Sequence, residues 1–505
     1  MQKFFLYSAS LLSFTNAIAQ DRPNIILFLV DDMGWEDTSV PFWTERTNYN
    51  NIYETPNMER LASQGMLFTQ AYACSVSSPS RCSLLTGANN ARHRVTNWTM
   101  LKDTPTDLNS EIVNLPQWNY NGISPVDGTD NTFTGTSFVK ILHDHEYFTI
   151  HCGKAHFGAK DTPGEDPLNW GFDVNIAGHA AGGLATYLSE KNYGHDADGK
   201  PYALNAIPGL EKYWQTGIFA TEALTLEAIR TLDSWKGSEK PFYLYMSHYA
   251  IHIPIDKDPR FYQKYIDKGL TSKEAAYASL IEGMDKSLGD LMDWLEKNDQ
   301  ADNTIVMFLS DNGGLATQPE WRDGPLYTQN SPLDCGKGSL HEGGIRVPMI
   351  VKWPGKVREA STSDHYLMIE DFYPTILEMA GIPNYSTKNQ VDGISFLPML
   401  FEQGDTSINR PLFWNFPNIW GNEGPGINLN CAVRLGDWKL VYYWATGFKE
   451  LFNIKEDIGE KKNIATLHPE KVDELSRTLG NYLRKVKADR PVFKDGKPCP
   501  WPDVL

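Results

Sequence analysis

The sequence predicts an α/β fold built on a largely parallel sheet, followed by a smaller α+β domain. Three observations lead there. Short β-branched and apolar runs alternate with amphipathic helical stretches; four of those runs end in polar clusters; and beyond about residue 405 the alternation gives way to paired strands and a closing helix. In chain order, the run 24–30 (Asn-Ile-Ile-Leu-Phe-Leu-Val) is the clearest strand, and 147–151, 241–246, 303–309 and 347–352 read as four more. Helices are predicted over 216–235, 273–297 and 369–380; in the second, Leu280, Met284, Leu288, Leu291, Met292 and Leu295 recur at helical spacing. Residues 430–444 read as two strands around Gly436-Asp437, and 470–485 as the closing helix. No internal repeat is visible.

A chain of 505 residues, 41% apolar and 12% aromatic, can bury a large core and more than one domain. Its first residues carry one Lys, an apolar stretch over 4–14 and Ala17-Ile18-Ala19, the pattern of a signal peptide cleaved to leave a mature chain near Gln20. The expected division is a signal peptide over 1–19, a catalytic α/β domain over 20–404 and a C-terminal α+β subdomain over 405–505. No other apolar run approaches the roughly 20 residues that span a bilayer, so no membrane span is expected and the protein is placed in a bacterial periplasm or outside the cell. The net charge of −17 argues against nucleic acid and anionic membrane as partners. It leaves room for a small anion in a local basic pocket. Six cysteines (Cys74, Cys82, Cys152, Cys335, Cys431, Cys499) lack the close spacing of a zinc site. Export would permit a disulfide without naming its pair.

The strand ends carry the chemistry. Asp31-Asp32 follow the first strand, Lys154 and His156 the second, His248 and His252 the third, and Asp311-Asn312 the fourth. Ligands of open α/β sheets bind outside the carboxyl ends of the strands, so all four would deliver their residues to one crevice. Asp31, Asp32, Asp311 and Asn312 are hard oxygen donors, suited to calcium or magnesium and poor for zinc; either pair alone would equally serve as a cap or turn. The stretch 77–87, Ser-Ser-Pro-Ser-Arg-Cys-Ser-Leu-Leu-Thr-Gly, reads as a helix start. With Pro79 in the first turn, Ser77 or Ser78 falls at the cap beside free N–H groups that attract an oxyanion such as sulfate or phosphate. Arg81, one turn beyond Ser77, can reach the same space with a forked donor. The alternative is a capped helix with a surface Arg. A serine hydroxyl is a weak nucleophile without an adjacent base, and these surroundings are not a Gly-x-Ser-x-Gly elbow.

The same stretch resembles the signature of the type I sulfatases of the alkaline phosphatase superfamily: Cys or Ser, any residue, Pro, a small residue, Arg, then Thr-Gly five residues later. The resemblance extends through 24–34, 153–156, His252, 310–314, 336–348 and 392–397, nearly the whole mature chain. It implies a large mixed, mostly parallel sheet flanked by helices, and a sulfuric ester hydrolase whose signature residue, here Ser77, is oxidised to formylglycine, an aldehyde that hydrates to a geminal diol. It further implies a serine-type formylglycine maturase as biosynthetic partner, and Ca2+ held by Asp31, Asp32, Asp311, Asn312 and the modified Ser77. Arg81 would hold the diol, Lys154 and Lys337 the sulfate oxygens, His252 would protonate the departing alcohol, and His156 would take a proton from the diol. A phosphatase or phosphodiesterase of the same superfamily with unmodified Ser77, and a non-catalytic binder of sulfated glycans, remain as alternatives.

Other residues are open to two readings. His341 stands where many relatives carry an aromatic residue and either faces substrate or packs. His93 and Arg94 follow the signature helix and either read a sugar hydroxyl or acidic group or belong to a solvated loop. His248 is expected behind His252. The block 413–417 (Phe-Trp-Asn-Phe-Pro) has Asn415 where relatives often have His. The polar segment 99–140, with Trp118 and Tyr120, is expected as an insertion over the pocket, where aromatics and amides would suit a sulfated carbohydrate substrate.

Overall fold

A computed structural model describes residues 22–402 and 410–504. The predicted signal peptide and the expected boundary at 404 and 405 lie outside the described residues. The main sheet has eight strands: β1 (Asn24–Val30), β2 (Met66–Tyr72), β3 (Phe148–Gly153), β4 (Val174–Ile176), β5 (Phe242–Ser247), β6 (Thr304–Ser310), β7 (Arg346–Lys352) and β8 (Ser361–Met368). Their spatial order is β8-β2-β7-β6-β1-β5-β3-β4. Every neighbouring pair is parallel except the two that β7 makes, with β6 and β2. This is the large mixed, mostly parallel sheet expected from the sequence.

The unbroken apolar run of β1 follows from burial on both faces. Ile26, Phe28 and Val30 join one core with the helices α2 (Ala220–Trp235) and α3 (Ser272–Lys297), through residues such as Leu224, Leu280, Met284 and Leu288. Ile25, Leu27 and Leu29 join the opposite core, shared with α1 (Ser77–Thr86) and α4 (Phe372–Met379) through Cys82, Leu85, Phe372 and Ile376. Thr271 starts α3 by accepting a hydrogen bond from the Glu274 N–H through its side chain.

Four further strands form an antiparallel sheet in sequence order: β9 (Leu412–Phe416), β10 (Asn430–Leu435), β11 (Trp438–Tyr443) and β12 (Lys449–Asn453). On one face Val433 and Leu440 meet Leu475, Leu479 and Leu483 of the helix α5 (Pro469–Lys485). On the other, Leu412, Trp414, Ala432 and Val441 pack on Tyr72, Tyr366 and Met368 of β2 and β8. The second sheet is thereby anchored to the first. All six cysteines are free and buried. No described helix is long and apolar enough to cross a membrane.

Candidate active site

Parallel pairing sets the carboxyl ends of four adjacent strands at one level: Val30 of β1 is opposite Ser310 of β6, Leu29 is opposite Ser247 of β5, and Ser247 is opposite Gly153 of β3. The next residues of each strand therefore meet. Asp31, Asp32, Lys154, Asp311 and Asn312 are all fully buried there. Asp32 (φ 64°) and His156 (φ 57°) hold left-handed backbone conformations, uncommon outside glycine and frequent where a site dictates geometry.

The signature helix brings its first residue into this cluster. Its N-cap is Val76, not Ser77 or Ser78, and no side chain caps it. Ser77 is the first helical residue because its hydroxyl is committed elsewhere: Oγ lies 3.2 Å from Asp31 Oδ1, 3.2 Å from Asn312 Oδ1 and 2.9 Å from Lys154 Nζ. Arg81, one turn on and fully buried, donates from Nε to Asp311 Oδ2 (2.9 Å) and from Nη1 to Ser247 Oγ (2.6 Å) and the Lys154 carbonyl (3.1 Å). A guanidinium so braced cannot swing away.

Two ammonium groups face the carboxylates. Lys154 Nζ is 2.8 Å from both oxygens of Asp31, and Lys337 Nζ is 2.6 and 2.8 Å from those of Asp32. Burial, with Asp311 and Asp32 nearby, outweighs Lys154 and pushes the Asp31 pKa up to about 8. Burial also opposes ionisation of Asp32, but Lys337 and His252 hold its carboxyl well below the usual range. Burial, only partly offset by Asp31, lowers Lys154 to about 8.

The donor set fits a hard divalent cation. Three carboxylates and the Asn312 amide oxygen converge out of water, none of them soft, and the positive charge facing them is shared by Arg81, Lys154 and Lys337. Asp31, Asp32 and His252 alone already place one ligand atom each within 4.8 Å of one another.

Two histidines border the cluster. His252 Nδ1 is 2.7 Å from the Ile253 carbonyl, which fixes the proton on Nδ1 and leaves Nε2 free, 3.8 Å from Asp32 Oδ2. Burial, then Lys337, lowers its pKa to about 3. His156 Nε2 is 2.9 Å from the Thr99 carbonyl and 2.9 Å from Ser78 Oγ. The carbonyl can only accept, so the proton sits on Nε2, and Nδ1 is buried without a partner among the described residues. Burial and Lys154 keep this ring neutral. Both rings lean on the loop carrying Gly182 and Gly183: a Cβ at Gly182 would come within 2.2 Å of His156 Cε1, and one at Gly183 within 2.7 Å of His252 Cε1.

Asp32, Ser77, His156, His252 and Lys337 line one end of a cavity of about 700 Å3. Three other predicted site residues belong neither to this cavity nor to the cluster around Ser77. His341 is buried, 2.8 Å from Asp334 Oδ2 and 3.0 Å from Glu450 Oε2. Burial opposes its protonation, yet Glu460, Asp334 and Glu450 prevail and push its pKa up to about 10, so it is a structural cation. His93 is fully buried, with Nε2 2.9 Å from Ser83 Oγ and Nδ1 accepting from the Val95 N–H. Arg94 donates to Asp489 Oδ1 (2.7 Å) and the Gln117 carbonyl, fastening α1's trailing loop to the chain's C-terminal part.

His248 bonds Ser287 of α3 at 2.8 Å, and Asn415 donates to the Asp489 carbonyl, so neither reaches the cavity. Of the segment 99–140 only Met100 lines it, because Trp118 turns into the core and bonds Asp107. The walls come instead from Trp98, Tyr202, Trp321 and Trp420, and braces from Ser247 and the two glycines, none of which sequence reasoning singled out for a role there; Ser78, expected at the helix cap, braces His156 instead. The run Ala180-Ala181-Gly182-Gly183 was the one available signal, a stretch small enough for rings to pack on.

Comparison with known proteins agrees with this geometry. The sulfatase family model matches residues 23–382, and the model for the N-sulphoglucosamine sulphohydrolase C-terminal region matches 335–489. A sulfatase of Formosa agariphila is 31% identical over 97% of this chain and 94% of its own length, and human N-acetylgalactosamine-6-sulfatase is 27% identical over 96% and 89%. The solved structure of Ps i-CgsB superposes with a TM-score of 0.70 at 26% identity, covering 92% of this chain and 93% of that one. In complex with k-i-k-neocarrahexaose, the same protein matches with a TM-score of 0.68 at 25% identity and the same coverage. The chain belongs to the sulfatase family and is a sulfuric ester hydrolase.

Proposed function

We propose that the enzyme hydrolyses sulfate esters of carbohydrates, with Ser77 converted to formylglycine by a serine-type maturase and Ca2+ held by Asp31, Asp32, Asp311, Asn312 and that residue. The observation that carries this reading is the place of Ser77 Oγ, between Asp31, Asn312 and Lys154 at the end of the cavity. The named relatives, an N-acetylgalactosamine-6-sulfatase and a protein bound to a carrageenan oligosaccharide, support a sugar as the alcohol. The sequence pattern over 1–20 supports export to the periplasm or beyond.

When present, the formylglycine supplies the attacking oxygen and the calcium the charge that aligns it with sulfur. Arg81, fixed by Asp311, Ser247 and Lys154, holds the position of that side chain and its developing charge. Lys154 and Lys337, whose ammonium groups lie on Asp31 and Asp32, clasp the sulfate oxygens. His156 takes a proton at Nδ1, its free nitrogen. His252 delivers one from Nε2 to the leaving oxygen. Its proton affinity is low beside Lys337, and the arriving anion raises it by neutralising that lysine.

Chelated protein should lose turnover of 4-nitrophenyl sulfate and regain it with calcium better than with zinc. Preference for 4-nitrophenyl phosphate over the sulfate would overturn the proposal in favour of a serine phosphatase.

A further inference from the structure

The charges on the cavity wall are all at one end. Asp32, Lys337, His156 and His252 surround Ser77, and among the described residues no other lining residue is acidic or basic. The remaining wall is aromatic, aliphatic and amide: Trp98, Tyr202, Trp321 and Trp420, with Asn205, Asn422 and Gln318 between them. Trp420 lies beside the sulfate end, its ring packed where a Cβ on Gly338 would come within 2.3 Å, and its backbone N–H donating to Asn428 Oδ1 at 2.8 Å. Gln318 Oε1 is buried without a protein partner among the described residues. It is an acceptor left for a hydroxyl donor, and one that repels an anion. Further charged lining, Lys160 and Glu165 with His179 and His195, belongs to a second cavity of about 520 Å3 that shares Met100, Tyr202, Ala203 and Leu204 with the first.

We infer that the sugar unit seated in this cavity carries the scissile sulfate as its only anionic group: a neutral, singly sulfated pyranose with its face against the indoles and its hydroxyls on the amides. The inference rests on the sulfatase reading above and narrows its substrate class. A second sulfate, or the carboxylate of a uronic acid, on that unit would leave water to face indole rings and a carbonyl oxygen, with no cation to meet it. Lys337 cannot serve, being already engaged between Asp32 and the sulfate that reacts. Aromatic faces and neutral amides, by contrast, match the C–H faces and hydroxyls of an uncharged ring.

The test is a binding comparison that needs no turnover. Calcium-supplemented Ser77→Ala protein is titrated calorimetrically with galactose, N-acetylgalactosamine and glucose, each sulfated at one position, and with their disulfated forms and 2-sulfated glucuronic acid. The best singly sulfated neutral sugar should bind at least about 10-fold tighter than every doubly charged one. Equal or tighter binding of any doubly charged sugar would overturn the inference, as would binding of none. Gln318→Arg in the same background should shift the ratio at least about 10-fold toward the disulfated sugars by supplying the missing cation; an unchanged ratio would contradict it. Turnover of 4-nitrophenyl sulfate by the Ser77 enzyme co-expressed with a serine-type maturase is measured in parallel. Its absence would sink the sulfatase mechanism while leaving the binding comparison to judge the pocket.

Discussion

Two buried clusters of charge sit on the same sheet and do different work. Around Ser77, Asp31, Asp32 and Asp311 face Arg81, Lys154 and Lys337. At the junction of the two sheets, Glu342 bonds Lys439 (3.0 Å), Tyr72 (2.6 Å) and Arg346 (3.3 Å), and Lys439 reaches Glu460 (2.8 Å). His341 adds a further cation between Asp334 and Glu450. The junction cluster is closed: Glu342, Lys439 and Glu460 are fully buried and none lines the cavity. The Ser77 cluster ends at an opening lined by Ser77, Asp32 and Lys337, so the Lys337 ammonium can exchange its carboxylate for a ligand. Similar pairs are thus shut in at one place and left open on one side at the other.

The sharpest break in this comparison is expected from the open cluster. Asp311→Asn should lower kcat/KM by about 1,000-fold or more, since it removes both a metal oxygen and the brace of Arg81. Its circular dichroism should stay native. Retention of a tenth of the activity would separate Asp311 from the chemistry. Lys439→Met should show the opposite pattern: it leaves Glu460 buried without its nearest cation and Glu342 with Arg346 alone, costing roughly 3–5 kcal/mol in urea unfolding. Turnover per folded molecule should hold.

How far the sequence carried these assignments depends on what each residue does. The central strands were legible because β1, β5 and β6 are buried on both faces and read as unbroken apolar runs. β8 was not, because its residues Ser361 to His365 are polar at the sheet edge, and β2 was hidden by Thr69 and Gln70 in its middle. The buried polar residues Asp31, Asp32, Lys154, Asp311 and Asn312 were legible because they follow strands directly. His341, His93 and Arg94 share that residue chemistry, but their partners Glu450, Ser83 and Asp489 come from packing that no local spacing reveals. Trp420 reaches the cavity only because the second sheet docks on the first, a long-range fact.

Smaller effects refine the contrast. Gly183→Ala should push on the His252 ring and reduce turnover by about 10- to 100-fold. The loss should be greater for alkyl sulfates, which need a proton on the leaving oxygen, than for 4-nitrophenyl sulfate. Equal losses on both would remove His252 from that role. In the closed cluster, His341 has a folded pKa of about 10 against about 6.5 when unfolded. Its stabilisation is complete below the lower value and lost as pH rises through the upper one. Unfolding free energy should therefore fall between those limits by roughly 1–3 kcal/mol, and His341→Gln should flatten that slope. A slope unchanged in the variant would assign the pH dependence elsewhere.

The central claim is that Ser77 becomes the reactive group of the open cluster, and the mass of the peptide bearing it tests that most directly. Protein made with and without a co-expressed serine-type maturase is digested, and the peptide mass is compared with turnover of 4-nitrophenyl sulfate in the same samples. The account predicts that activity rises in proportion to the fraction of peptide that has lost one molecule of hydrogen, while Ser77→Ala stays inactive in either host. Unmodified Ser77 protein that hydrolyses the sulfate ester as fast as modified protein would contradict it.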